Sequence, residues 1–326
     1  MNDDVTTSPA PVSRSQRFAW LDVARGAALL AMASYHFLWD LADFGYLAAD
    51  FPSTGWPRIY ARAIATTFLV LAGISLVLAH GSGIRWRSFG LRFAKIAAAA
   101  LLVTAGTYIA IPQAFIFFGI LHAMAAASLV GLLFLRVPPL LTAIAAIAAI
   151  AAPNYLRSEL FDTPFLWWVG LGSRPPVSFD YVPLLPWLGP FLLGMAAARL
   201  GSGWLALRQN RLGISATNPV KTVLIFLGRH SLVFYLLHQP VLIAMLYTFS
   251  LAMPAPRVAP ETRYIESCTK TCRDGASPDF CSRFCGCTLE KLQGLGLLER
   301  LQSGAISVDN DQRINGIAMQ CTSEAE

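Results

Sequence analysis

No cysteine occurs before Cys268; all six lie from there to Cys321. Charge is scarce as well: Asp, Glu, Lys and Arg make up 13% of the 326 residues, where a soluble domain carries about 25%. Hydrophobic residues reach 55%. Together these values exclude an ordinary soluble enzyme, because the apolar excess comes in blocks long enough to cross a bilayer. A basic tail and an aromatic–basic ladder are both missing, so the net charge of +6 does not mark a nucleic-acid binder. Residues 1–16 are polar, rich in Ser, Thr and Pro, and read as disordered. No cleavage site follows the first apolar run, so they do not read as a signal peptide. Internal hydropathy repeats, which transporters usually show, are also absent.

What the chain does contain is an all-α, polytopic helix bundle over about 17–252, followed by a small Cys-rich region over 256–326. About seven candidate spans are predicted, over 19–39, 58–80, 92–111, 114–135, 138–152, 182–200 and 222–250. The fifth is short, and the last is long enough to break near Gly228–Arg229. Basic residues alternate between connections. Arg85, Arg87, Arg92 and Lys95 follow span two, Arg136 follows span four, and Arg199, Arg208, Arg211 and Lys221 follow span six. The connection after span one carries Asp40, Asp43 and Asp50 instead, with Arg58 and Arg62 as exceptions beyond it. The positive-inside bias then predicts a cytoplasmic N-terminus and an extracytoplasmic C-terminus, in a bacterial inner membrane. The cysteines independently ask for the same side, since six in a short polar tail imply an oxidising compartment and disulfides.

The stretch DVARGAALLAMASYHFLWD, residues 22–40, sets ionisable groups into an apolar helix. Asp22, Arg25, His36 and Asp40 fall on nearly one face at 3.6 residues per turn. Arg25 and His36 stand roughly 16 Å apart along the axis, about half of a ~30 Å hydrocarbon core. Such groups are costly unless they face a protein interior or a water-filled cavity, so the stripe is a candidate site.

In the tail, Cys268-x3-Cys272 and Cys281-x3-Cys285 each set two sulfurs on one helix face, and Cys287 and Cys321 remain. Two such pairs could staple an antiparallel helix hairpin, 268–285 with 272–281. The sequence alone does not choose among the possible connectivities. A metal site would need a reducing compartment, and none is expected.

RFAWLDVARGAALLAMASYHFLWDL resembles the start of the heparan-α-glucosaminide N-acetyltransferase catalytic-domain family, within the transmembrane acyltransferases. The Arg25-x10-His36 spacing resembles the first-helix signature of the membrane acyltransferase-3 group. FLVLAGIS (68–75), FFGILHAMAAASL (117–129), DYVPLLPWLGPFLLG (180–194) and LGRHSLVFYLLHQPVL (227–242) extend the likeness in order. The resemblance implies acyl transfer, with acetyl-CoA or another acyl-CoA as donor substrate and no permanently bound cofactor. It also implies an extracytoplasmic sugar or glycan acceptor, and a lipid bilayer as the chain's surroundings.

That chemistry needs a base for the acceptor's proton or a nucleophile to carry the acyl group. His36 is the candidate for either role, with Asp40 placed to orient its ring. His238 is a further candidate, for acceptor binding or as a second proton relay. Arg25, Arg85, Arg87 and Arg229 are candidates for the donor's phosphates, although Arg25 could simply pair with Asp22. Asp180 and His122 are candidates at the acceptor side, and His80 reads as a helix-end residue without a role. Two other readings stay open: a transporter or channel with His36 in a proton or substrate path, and a membrane anchor displaying the Cys-rich tail.

Overall fold

The structure is a computed structural model that describes residues 19–81, 83–201, 219–256, 259–273, 275–303, 305–306 and 311–325. The N-terminal stretch expected to be disordered lies outside the described residues, as do Arg208 and Arg211. Among the described residues there are α- and 3-10 helices and no strand. Two compact units divide the chain, 1–253 and 254–326.

The first unit contains α1 (Ala19–Asp43), α2 (Gly55–His80), α3 (Trp86–Ala110), α4 (Ile120–Phe134), α5 (Pro139–Tyr155), α6 (Leu184–Leu200), α7 (Pro219–Arg229) and α8 (Ser231–Ala252). Of these, α2, α3 and α8 are long and apolar enough to cross a membrane, while α4, α5 and α6 are shorter apolar helices. Their outward faces are hydrophobic: Leu101, Ile109, Leu133, Ile147, Val233 and Leu251 are all more than half exposed. In water such a surface would aggregate, so its natural covering is lipid, and the protein is an integral membrane protein.

Lipid is as apolar as leucine, so helices in it associate through close packing of small residues rather than through burial. The bundle follows that rule. A Cβ at Gly73 would collide with the Phe191 carbonyl, and one at Gly194 with that of Val70, which seats α2 against α6. Gly189 seats α6 against Ala146 and Ile150 of α5 in the same way. Leu69, Leu76, Phe191, Leu192 and Met195 fill the core between these helices.

The apolar run expected over 222–250 is two helices, not one. It breaks at Arg229–His230, beside the expected place, and the break reverses the chain. Gly228 lies against the Asp22 backbone and Gly26 against that of Leu224. This pairing runs α7 antiparallel to α1. Beyond the break, Phe234 and Tyr235 pack with Leu29 and Met32, and the His238 ring meets that of His36, so α8 runs parallel to α1. At eleven residues, α7 is roughly 16 Å long and too short to cross a bilayer. The Tyr46 hydroxyl donates to the Met253 carbonyl. The chain therefore leaves this unit at the Asp40 end of α1, opposite Ala19.

The second unit holds α9 (Pro260–Cys272), α10 (Pro278–Gly294), α11 (Leu298–Gln302) and α12 (Gln312–Ala325). Cys268 bonds Cys285, Cys272 bonds Cys281, and Cys287 bonds Cys321. The first two bridges staple α9 to α10 as the CxxxC spacing allows, and the third ties α12 onto α10. Leu292, Leu297, Ile314 and Ile317 form a small apolar core of its own. So few buried side chains hold a unit of this size weakly, and the bridges supply much of its stability.

Candidate functional site

At the Ala19 end of α1, Asp22 is buried between two cations. Its Oδ1 lies 3.6 Å from Arg25 one turn on; its Oδ2 lies 3.5 Å from Arg229 Nε. The second contact is an ion pair without hydrogen-bond geometry, because Oδ2 has no hydrogen-bond donor. Arg25 also donates to Ser75 Oγ on α2, and the Ser75 hydroxyl donates in turn to the Leu71 carbonyl. One carboxylate thus joins α1 to α7 and, through Arg25, to α2. Arg25 and Arg229 are held by Asp22, while Arg85 and Arg87 are exposed at the start of α3. The Arg85 Nε donates to the Ala79 carbonyl at 3.2 Å. The four arginines expected to clamp phosphate therefore fall into two groups, one paired and one facing outward.

The Asp40 end gathers a different set. The rings of His36 and His238 meet edge to face, with centroids 4.9 Å apart. Asp40 is 3% exposed; its Oδ1 accepts from Gln239 Nε2 at 2.6 Å. This differs from the expectation that Asp40 orients His36. The aspartate side chain is short, and an amide from the adjoining helix takes it. Gln239 is the site residue that sequence reasoning missed. Its only signal was its place beside His238 in the motif YLLHQP.

His238 is oriented by its own helix. Its Nδ1 lies 2.7 Å from the Tyr235 carbonyl. A carbonyl only accepts, so Nδ1 carries a hydrogen, and in the neutral ring Nε2 is then a bare lone pair. Among the described residues that Nε2 is buried and without a hydrogen-bond partner, as are Asp40 Oδ2 and Gln239 Oε1. Three acceptor atoms on adjoining turns of two helices thus lack donors. Buried polar atoms are nearly always satisfied, and exceptions ask for an explanation in binding or chemistry. The unmet need is for hydrogen-bond donors. An amine or a hydroxyl meets it; a phosphate does not.

The two expected acceptor-side residues come together, though at a helix end rather than with His36. Asp180 Oδ2 accepts from the Ile120 backbone N–H at 2.8 Å, capping the N-terminus of α4. His122 Nδ1 accepts from the Gly119 N–H at 3.2 Å; its Nε2 faces Thr104 Oγ1 at the same distance. Both satisfy backbone that a helix start leaves open. Asp180 lies in the loop before α6, where desolvation lifts its carboxyl to about 6 against the opposing pull of the Ile120 hydrogen bond. The phenol of Tyr235, one turn before His238, lies within electrostatic reach of Asp180. The same ring packs against three of the unit's apolar clusters. His80 ends α2, as expected, and is buried at 4% exposure.

The family model described as heparan-alpha-glucosaminide N-acetyltransferase, catalytic, matches residues 17–240. No curated protein and no solved structure matches the chain. The matched range covers more than half of the sequence. It takes in both polar ends of α1 and stops just past Gln239, leaving the disulfide-bonded unit outside. The chain belongs to the heparan-alpha-glucosaminide N-acetyltransferase catalytic family, a family of acetyltransferases.

Proposed function

We propose that the protein carries an acyl group, of the acetyl class, from a cytoplasmic acyl-CoA to an amine or hydroxyl of an extracytoplasmic sugar or glycan. In this reading α1 to α6 and α8 make seven crossings, with Ala19 at the cytoplasmic face and Met253 at the outer one. The alternating basic connections support that orientation. So does the oxidised state that three disulfides require of the tail.

The observation that carries the reading is the free Nε2 of His238, pre-oriented by the Tyr235 carbonyl and buried beside His36. A general base must offer a lone pair in a fixed direction to the proton it removes. Asp40 Oδ2 and Gln239 Oε1 would hold the acceptor's remaining N–H or O–H groups. As the acceptor's heteroatom bonds the thioester carbonyl carbon, its proton passes to His238 Nε2. The C–S bond then breaks, and the coenzyme A thiolate departs and takes up a proton, for which His36 is the nearest shuttle. Arg25, held by Asp22 and Ser75, lies along the path by which the donor's long pantetheine arm would reach from the Ala19 end.

The test is thiol release from acetyl-CoA by the purified protein in nanodiscs, with amino sugars and neutral sugars offered as acceptors. Removing a positioned acid–base group typically costs 10²–10⁴-fold, so H238A is expected to lose at least a hundredfold in kcat with donor affinity kept. H36A is expected to lose less if its ring only shuttles the second proton. A stable acyl adduct on His36, trapped by acid quench with labelled donor, would make it an acyl carrier instead.

A further inference from the structure

The Asp40 end of α1 carries a further feature that the proton transfer does not use, a row of aromatic rings in unbroken contact. It begins at Trp56, in the first turn of α2 and 57% exposed. The Trp56 ring lies 6.2 Å from that of Tyr60, Tyr60 lies 6.5 Å from Tyr35 on α1, and Tyr35 lies 6.1 Å from His36. The row ends where His36 meets His238. All of these are spacings at which aromatic pairs attract one another.

Its members are fixed from outside the row. Phe51, in the short 3-10 turn Phe51–Ser53, sets its ring edge-on to Trp56, and the Tyr35 hydroxyl donates to the Pro52 carbonyl at 3.2 Å. Ser34 donates to the Ala31 carbonyl, so in its 2.9 Å contact with Tyr60 the phenol is the donor. The Tyr60 oxygen keeps a lone pair for another partner. Aromatic residues that only mark the bilayer surface stand on the lipid-facing side of their helix. Here that side of α2 belongs to Ile59, 68% exposed, whereas Tyr35 and Tyr60 pack against Leu29, Met32 and Ile64 within the bundle. The row therefore leads inward, from one exposed indole to the two histidines.

Aromatic faces edged by hydroxyls fit a sugar ring. The C–H face of a pyranose is apolar and weakly electropositive, so it lies flat on the negative face of an indole or phenol, while its hydroxyls bond polar groups at the rim. An anion would ask for cations, and Arg58 and Arg62 lie on the opposite side of α2 from Tyr60.

We propose that Trp56 and Tyr60 form a stacking subsite for a sugar unit of the acceptor that does not itself react. Trp56 stands one turn of α2, roughly 6 Å, outside Tyr60 and three ring contacts from His36. A unit stacked there is not the unit whose proton His238 takes, so the site selects an oligosaccharide over a single sugar. Only the identity of the reacting unit rests on the acyltransferase reading; the stacking needs no thioester.

The experiment is calorimetric titration of the full chain in nanodiscs with glucosamine and its β-1,4-linked trimer and, in parallel, with glucose and cellotriose. The parent is expected to bind the trimer of at least one series at least tenfold more tightly than its monomer. W56A is expected to remove that advantage while monomer affinity stays within twofold, W56F to recover part of it, and Y60F to lose less than W56A. W86A, which removes an exposed indole from the start of α3, is expected to match the parent. Failure of the parent to bind either trimer, equal affinity for monomer and trimer, or a trimer advantage kept by W56A overturns the subsite, even if the parent turns over acetyl-CoA. A W56A that weakens monomer and trimer alike marks Trp56 as a packing residue and overturns it too. Conversely, a trimer advantage that depends on Trp56 in a protein that consumes no thioester leaves the subsite standing and sinks the enzyme reading.

Discussion

At the Ala19 end of α1 the polar groups are matched by charge: Asp22 is shared by Arg25 and Arg229, and Arg25 also donates to Ser75. At the Asp40 end they are acceptors: Asp40 Oδ2, His238 Nε2 and Gln239 Oε1. A transport path would be expected to repeat one kind of ligand along its length, because a single substrate visits every depth. A charge-paired end and an end of three unmet acceptors are built differently enough to suit two different reactants. The two ends also differ in how they are fixed. The Ala19 end is locked by backbone-to-backbone contact at Gly26 and Gly228, while the Asp40 end is held by side chains, the amide of Gln239 and the paired rings.

The largest effect that would break this comparison comes from its packing. G228L is expected to prevent α7 from docking, because its side chain would have to enter the Asp22 backbone. Little folded protein should be recovered by size exclusion in detergent, and normal recovery would show that α7 does not lie there. D22N should be milder, since Arg229 is half exposed and water compensates part of the lost pairing. A loss of about 1–3 kcal/mol in detergent unfolding is expected.

Next in size is the acceptor end. Q239L removes the donor that fixes Asp40 and is expected to cost about tenfold in kcat/KM, mostly through the acceptor's KM. An effect confined to the donor's KM would place Gln239 on the wrong side of the comparison. Asp180 gives a smaller and pH-dependent effect. Its folded carboxyl titrates near 6, above the ordinary value, so folding disfavours the charged form. The stability this site supplies is full below the ordinary pKa and fades as pH rises through about 6. D180N should therefore gain on the parent as pH rises from about 4 to about 6 and keep a constant gain above that, and D180A should lose about 1 kcal/mol as the α4 cap disappears. A D180N difference flat in pH would contradict a desolvated carboxylate at this position. The smallest effect on chemistry is expected from C287S/C321S. It opens the longest disulfide loop of the tail, destabilising that unit by about 2–4 kcal/mol, while thiol release stays within twofold.

Much of this was legible in the residues. The polar face of residues 22–40 follows from helical periodicity, and the apolar blocks, the break at Gly228–Arg229 and the CxxxC pairs follow from composition and spacing. What periodicity could not supply was the partner of each polar group. Asp40 and His36 share a face, yet the amide that takes Asp40 comes from residue 239, and no local rule links positions so far apart. The same holds for Asp180, whose donor is the backbone of Ile120. The reversal at His230 was hidden for a different reason: an apolar run shows that a break is present, but its direction depends on where glycines let backbones touch.

The central claim is that His238 takes the acceptor's proton at a site whose donor is held elsewhere, and one paired measurement tests it most directly. Coenzyme A affinity and acceptor-dependent thiol release are measured on the same nanodisc preparations of the parent and H238A. The account predicts equal affinities within about threefold and thiol release at least a hundredfold slower in H238A. Thiol release at the parent rate by H238A would contradict it.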